Sequence, residues 1–168
     1  MNANSQPIYQ VREVAPADAE ALHRHCWSDR THDGVRELLQ RAEWLHARKR
    51  GLGIVAELTH APYEPIAFAQ LTLWPRAAEI SDLIVTETLR NYGIGTVLIN
   101  HLVERARSWH VEQVEIGVAL SNPRALALYR RLGFHDDRTI KLDIGSGTEA
   151  VAYLKMPLET AEKRAPNH

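Results

Sequence analysis

The sequence lacks the features that mark secreted or membrane-spanning proteins. Cys26 is the only cysteine in 168 residues, so an internal disulfide is impossible. Unpaired cysteine is typical of a reducing compartment, and we expect a cytoplasmic protein. No apolar run approaches the ~20 residues of a membrane span. Residues 1–7 also lack the basic-then-apolar layout of a signal peptide.

An excess of charge of one sign is also missing. The 20 Lys and Arg residues are matched by 21 Asp and Glu, a formal net charge of −1. This balance gives no reason to expect nucleic acid or an anionic membrane as a partner. His23 and Cys26 would share one face of a helix, but His25 would not, and no second pair follows at ligand spacing. We therefore expect no metal site.

What remains is an ordinary globular composition, 45% apolar and 24% charged, which fits one domain over residues 1–168. We expect residues 1–7 and 160–168 to be flexible. Apolar periodicity predicts a mixed α/β layer fold. The glycines of residues 51–53 are read as ending the second helix, and those of residues 145–147 as a hairpin turn. The predicted strands cover residues 8–14, 54–58, 66–73, 78–85, 111–118, 139–144 and 151–158, and the predicted helices cover residues 16–27, 35–49, 93–109 and 123–132.

The most informative segment lies between the fourth strand and the third helix. The strand ends at Val85 and the helix begins near Gly93, with a second glycine at Gly95. Glycine lets the backbone approach a ligand closely, and a helix N-terminus offers unpaired N–H groups and a positive dipole end. Such a turn suits a pyrophosphate, to which Thr96 and Arg90 can add side-chain donors.

Two other phosphate motifs are excluded here. A dinucleotide-binding turn needs a third glycine three residues after the second, but that position is Leu98. A P-loop needs Gly-Lys-Ser/Thr, which the sequence lacks. An ordinary loop that starts a helix is the remaining alternative.

Two motifs together resemble the GNAT superfamily of acyl-CoA N-acyltransferases. The Arg/Gln-x-x-Gly-x-Gly/Ala element of that family matches Arg90, Gly93 and Gly95. Residues 122–134 (Asn-Pro-Arg-Ala-Leu-Ala-Leu-Tyr-Arg-Arg-Leu-Gly-Phe) match a second element, and the strong match spans residues 78–134. The resemblance implies a mostly antiparallel sheet of about seven strands with a parallel splayed pair and four flanking helices. It further implies acetyl-CoA as co-substrate.

The family's functional roles transfer to matching positions. Asn122 and Tyr129 would lie along the CoA arm, with Tyr129 as the acid for the leaving thiolate and Val85 N–H as an oxyanion donor. The residues that the resemblance assigns to acyl-CoA are Leu83, Ile84, Val85, Arg90, Asn91, Tyr92, Gly93, Ile94, Gly95, Thr96, Asn122 and Tyr129. Alternatives stay open, since Tyr129 also fits core packing and Asn122 fits a helix N-cap.

The general base is less well defined. Glu79 matches the position of a catalytic carboxylate in some family members, although it also fits a solvated strand residue. Many members carry an acid two positions later, where this chain has Ser81. The base is therefore Glu79, or a water relay from Glu79 or from the region of Asn122.

The resemblance makes an acetyl-CoA-dependent N-acetyltransferase acting on a primary amine the leading hypothesis. The acceptor would be a small molecule or a protein N-terminus, and a homodimer is a further family expectation. The alternatives are a non-catalytic acyl-CoA-binding or regulatory module and an O-acyltransferase.

Overall fold

A computed structural model describes residues 7–143 and 147–159. The predicted flexible ends, apart from Pro7, lie outside the described residues, as do the first two positions of the predicted hairpin turn. Within the described part of the chain, no helix is long and apolar enough to cross a membrane.

The order of strands and helices is the predicted one. Short 3-10 turns at Pro16–Asp18 and Glu87–Leu89 precede the first and third helices. The helices and strands in chain order are β1 (Tyr9–Glu13), α1 (Ala19–Cys26), α2 (His32–Ala47), β2 (Gly51–Leu58), β3 (Pro65–Leu73), β4 (Ala77–Val85), α3 (Ile94–Ser108), β5 (Gln113–Ala119), α4 (Pro123–Arg131), β6 (His135–Asp143) and β7 (Thr148–Pro157).

The strands form one mixed sheet in the order β1-β2-β3-β4-β5-β7-β6. β4 and β5 are parallel, and their register runs from Ala77↔Gln113 to Ile80↔Ile116, in the first half of β4. Asp82 follows with a φ of +54°, a left-handed conformation that interrupts regular strand geometry. The predicted α/β sheet with one parallel pair is therefore confirmed.

Contacts along the chain define two compact units. The first comprises residues 1–72 and 82–102. Thr31 caps α2 by accepting a hydrogen bond from Gly34 N–H at 3.0 Å, and the apolar face of that helix packs on β2 and β3. The core of this unit is formed by Ala19, Leu22, Trp27, Val35, Leu39, Ala42, Val55 and Phe68.

An ion-pair cluster attaches β1 to this core. Arg12 donates to both carboxylate oxygens of Asp18 at 2.8 Å and to Glu57 at 2.7 Å. Asp18 is buried and also accepts the Ala15 N–H at 2.8 Å. The cluster satisfies a buried carboxylate, as burial of a charge requires.

The second unit comprises, of the described residues, 73–81, 103–143 and 147–159. Val114, Ile116 and Val118 alternate along β5 and bury one face of the strand. Glu115 lies on the opposite face, where Lys155 of β7 pairs with it in register. One face of β5 is thus apolar, and the opposite face carries the Glu115 and Lys155 pair.

Two predicted boundaries were wrong. Residues 51–53 do not end the second helix but begin β2, because the glycines there let α2 pack against the strand. A Cβ at Gly51 would lie 2.9 Å from Leu45 Cβ and 2.7 Å from Leu71 O. β6 begins at His135, four residues before the predicted strand, because pairing with β7 outweighs the weak local strand signal.

Candidate functional site

The turn after β4 is fixed by backbone hydrogen bonds in the first unit. The N–H of buried Thr86 donates to Ile66 O at 2.8 Å, which attaches the end of β4 to β3. Thr86 O then accepts from Leu89 N–H at 3.0 Å and closes a 3-10 turn. The chain therefore leaves the strand along one defined path.

Two left-handed residues then lead the chain into α3. Asn91 has a φ of +69° and Gly93 a φ of +79°. The first turn of the helix closes with Val97 N–H on Gly93 O at 3.0 Å. The N–H groups of residues 94–96 precede that bond, and a helix leaves such groups without an intrahelical partner.

The two glycines of this turn have different requirements. Position 93 requires glycine because its φ is positive. Space is not the reason, because a Cβ there would have no other atom within 4 Å. Gly95 has no such conformational need, and its Cβ would make only an ordinary 3.9 Å contact with Val85. The structure therefore has room for alanine at position 95, in line with the Gly/Ala choice of the resembled motif.

Arg90 folds back onto β4. Its Nε–H donates to Val85 O at 3.2 Å, and the side chain remains exposed. This bond uses one of the five guanidinium N–H groups, so a phosphate contact remains geometrically possible. The sequence predicted a phosphate contact for Arg90 but not its hydrogen bond to Val85.

Cys26 is not a nucleophile candidate in this structure. Its thiol donates to Ile66 O at 3.5 Å, and burial raises the pKa of Cys26 to about 12, against a smaller lowering by the charge of Arg90. A thiol rather than a thiolate is present at neutral pH.

In the second unit, Asn122 is the N-cap of α4. Its Oδ1 accepts the Ala125 N–H at 3.2 Å, and Pro123 occupies the first helical position. The capping alternative is confirmed. Because the cap uses the side-chain oxygen, the amide NH₂ group keeps its two donors for another role.

Tyr129 lies on the inner face of α4. The side chain is 6% exposed, and its ring packs 6.3 Å from that of Phe134 at an interplanar angle of 58°. Burial raises the pKa of Tyr129 to about 12. The hydroxyl therefore keeps its proton at neutral pH, as a hydrogen-bond donor or acid requires.

Glu79 is half-buried on β4 rather than freely solvated. Its Oε2 accepts the Trp74 indole N–H at 3.1 Å. In the parallel register Glu79 lies directly opposite Glu115, and Glu115 accepts from Gln113 at 2.9 Å and Arg138 at 3.4 Å.

Sequence reasoning missed Trp74 and Glu115. Neither belongs to a motif, and only strand register relates Glu115 to Glu79. The alternation of β5 was the available signal, since it places Glu115 on the polar face.

The structure groups the predicted residues in two sets. In the first unit, residues 83–85 and 90–96 form one continuous strand-turn-helix. In the second unit, Asn122 and Tyr129 share α4, and Glu79 lies on β4. Among the described residues, no group of three or more His, Cys, Asp or Glu side chains is placed to hold a metal ion.

The model of the acetyltransferase (GNAT) family matches residues 17–134. The chain therefore belongs to this family, as the two sequence motifs predicted.

Individual relatives agree with that assignment. An uncharacterised N-acetyltransferase of Methanocaldococcus jannaschii is 39% identical over 64 residues, which are 38% of this chain and 28% of that protein. The chain spans between 28% and 60% of the length of the curated relatives it matches.

Solved structures share the fold at low identity. A spermidine/spermine N-acetyltransferase of Vibrio cholerae superposes with a TM-score of 0.71 at 18% identity, covering 95% of this chain and 98% of that one. The ribosomal-protein-S18-alanine N-acetyltransferase of Escherichia coli gives a TM-score of 0.71 at 17% identity, covering 95% and 100%. At these identities the likeness concerns the fold.

Proposed function

We propose that this protein transfers an acetyl group from acetyl-CoA to a primary amine by direct attack. The observation that carries the proposal is the turn at residues 90–96, where left-handed Asn91 and Gly93 lead into the N-terminus of α3. Family membership supports acetyl-CoA as the ligand of that turn.

The cofactor half of the reaction would depend mainly on backbone groups. The amides of residues 91–96 bind the pyrophosphate, and the backbone of Leu83, Ile84 and Val85 pairs with the pantetheine arm. Arg90 adds positive charge, and the Asn122 amide NH₂ donates to the arm. Backbone donors suit this role because helix amides and the helix dipole favour anions without adding mobile side chains.

The transfer step needs three further groups. The attacking amine must be neutral, although a lysine-like amine has a pKa of about 10.4, so Glu79 accepts its proton directly or through water. The N–C bond forms as the carbonyl oxygen gains charge, which Val85 N–H stabilises. The C–S bond then breaks, and Tyr129 O–H donates a hydrogen bond to the leaving thiolate. The proton that the nitrogen loses on becoming an amide ends on the sulfur, so the products are the acetylated amine and free CoA thiol.

The acceptor is proposed as a primary amine without a further name. One structural neighbour is named for spermidine and spermine, and another for alanine of ribosomal protein S18. Both acceptors are primary amines, and the shared fold supports that general class for this chain.

A thiol-release assay tests the proposal. The purified chain is given acetyl-CoA with a panel containing polyamines, amino acids, amino sugars, alanine-terminal peptides and matched alcohols. Amine-dependent release of CoA thiol supports the proposal. Release with the alcohols alone would establish an O-acyltransferase, and tight acetyl-CoA binding without release would establish the binding module.

A further inference from the structure

An exposed tryptophan lies beside the proposed base. Trp74 directly follows β3 and is 49% exposed, and its indole N–H donates to Glu79 Oε2 at 3.1 Å. A ring this exposed contributes little to a core, so packing does not explain a tryptophan at this position. Its indole N–H, a group that only donates, has a defined partner instead.

The backbone around Trp74 holds that residue in place. Its own N–H donates to Ala77 O at 2.8 Å and closes the turn that leads into β4, within which Pro75 has a restricted φ. Arg76 O accepts the Glu112 N–H at 3.0 Å, and the Arg76 side chain donates twice to Glu112 Oε1, at 3.0 and 2.9 Å. The turn is therefore attached to the residue that precedes β5, and the indole extends from a fixed backbone.

The orientation of the Glu79 carboxylate depends on this contact. Within residues 7–143 and 147–159, the Trp74 indole is the hydrogen-bond partner of Glu79, and it engages Oε2 alone. Glu115, opposite Glu79 in the sheet, is held instead by Gln113 at 2.9 Å and Arg138 at 3.4 Å. A long side chain samples several rotamers unless a contact selects one. The indole selects one for Glu79 and leaves Oε1 open to a further partner.

We propose that Trp74 is a positioning residue for Glu79, whose Oε2 it holds so that Oε1 accepts the proton of the amine. The inference rests on the proposed function, in which Glu79 is the base. In that step an N–H bond of the ammonium breaks, the electron pair stays on nitrogen, and the proton moves to Oε1 directly or through water and then to solvent. The indole donates a hydrogen bond throughout and keeps its own proton.

A double-mutant cycle tests this role. Trp74→Phe keeps an aromatic ring but removes the N–H donor, and it is made both in the parent and in Glu79→Gln. Trp44→Phe is the matched control, since Trp44 on α2 is similarly exposed, at 52%. Thiol release with an amine that the parent acetylates gives kcat and KM from pH 7 to about pH 10.

We expect Trp74→Phe to lower kcat/KM for the amine about 3- to 10-fold at pH 7, the size of one lost hydrogen bond, with KM for acetyl-CoA unchanged. In Glu79→Gln the same substitution should change kcat/KM less than about 2-fold, because no base remains to be oriented. The loss should also shrink towards pH 10, where an amine with a pKa of about 10.4 deprotonates unaided. A merely structural role would lower activity equally in both backgrounds and at every pH.

The contact itself can be measured without either substrate. The chain has four tryptophans, and the indole ¹H–¹⁵N resonance that is missing from Trp74→Phe belongs to Trp74. Glu79→Gln should move that resonance, because the charged acceptor of its N–H is lost, and should leave the other three in place.

Three results would overturn the inference. An equal loss in the two backgrounds, or no loss at all, removes the positioning role, as does the same loss with Trp44→Phe. An indole resonance that Glu79→Gln leaves unmoved shows that the hydrogen bond is not formed, even in an enzyme that acetylates amines. If the parent acetylates no amine, the proposed function and the positioning role fail together, and a shifted resonance then shows that the contact between Trp74 and Glu79 is structural.

Discussion

Replacing Tyr129 with phenylalanine tests the chemistry of α4 while preserving its packing. The ring beside Phe134 is retained, so Tm should stay within about 3 °C of the parent. The pKa of Tyr129, raised to about 12, bounds the catalytic effect. A CoA thiol resembles cysteine, with a pKa of about 8.5, so full proton transfer from Tyr129 to a free thiolate is uphill by about 5 kcal/mol. We therefore expect Tyr129 to act mainly by donating a hydrogen bond to the charge that develops on sulfur.

A hydrogen bond to a charged group contributes about 1.5–3 kcal/mol. The variant should thus lose about 10- to 100-fold in kcat, with KM for acetyl-CoA unchanged. Because the hydroxyl of Tyr129 stays protonated far below pH 12, the ratio of parent to variant activity should remain constant from pH 7 to about pH 10. Steady-state thiol release over that range measures the ratio, and Tyr63→Phe, at an exposed position, is the control.

Two results would refute this reasoning. A change of less than about 3-fold in kcat together with a lowered Tm would make Tyr129 a core residue whose hydroxyl serves packing alone. A ratio that falls to about half by pH 10 would mean that the hydroxyl titrates near the ordinary tyrosine pKa of about 10. The burial argument would then be wrong even if the catalytic assignment were right.

Three other substitutions test separate parts of the molecule. Gly93→Ala places alanine at a φ of +79°, so it should lower the free energy of unfolding by about 1–2 kcal/mol and raise KM for acetyl-CoA. Gly95→Ala should do neither. Differential scanning calorimetry and kinetics measure the two effects, and equal effects of the two variants would contradict the distinction. Glu79→Gln should lower kcat/KM about 10- to 100-fold at pH 7, and the loss should shrink towards pH 10 as the amine deprotonates unaided; a loss that is independent of pH would remove Glu79 as the base. Arg12→Met leaves buried Asp18 without its ion-pair partner and should lower the free energy of unfolding by about 2 kcal/mol. The loss is smaller than for a fully buried pair because Arg12 is partly exposed. Urea denaturation measures the loss, and an unchanged midpoint would mean that the pair contributes no more than a surface ion pair.

The parts of the site that were predictable are encoded locally. Asn122 and Pro123 are adjacent in sequence and form the N-cap and first residue of α4, as the residue types predict. Gly93 adopts the left-handed conformation that glycine favours. The fold followed because its helices and strands have clear periods. The homodimer and the cytoplasmic location stay predictions.

The parts that were missed depend on distant segments. The glycines at residues 51–53 looked like a turn, and only the approach of α2 explains why a strand needs them. The Arg12 cluster joins residues 45 positions apart, and only the register of β4 and β5 places Glu115 opposite Glu79. Such pairings follow from strand register and helix packing, which no short window of sequence contains.

This difference explains why the sequence predicted the acetyl-CoA half of the proposed reaction better than the acceptor half. A cofactor common to many enzymes can be held by backbone amides, and a few glycine and cap residues within one segment specify that backbone. An acceptor particular to one enzyme must be recognised by side chains, because backbone amides offer the same groups at every position. The side chain proposed for the amine half, Glu79, lies on β4, and Glu115 is known to lie opposite it only once the sheet has formed. Amine turnover should therefore change when Glu79 is substituted, whereas a substitution there that preserves the backbone should leave acetyl-CoA binding intact.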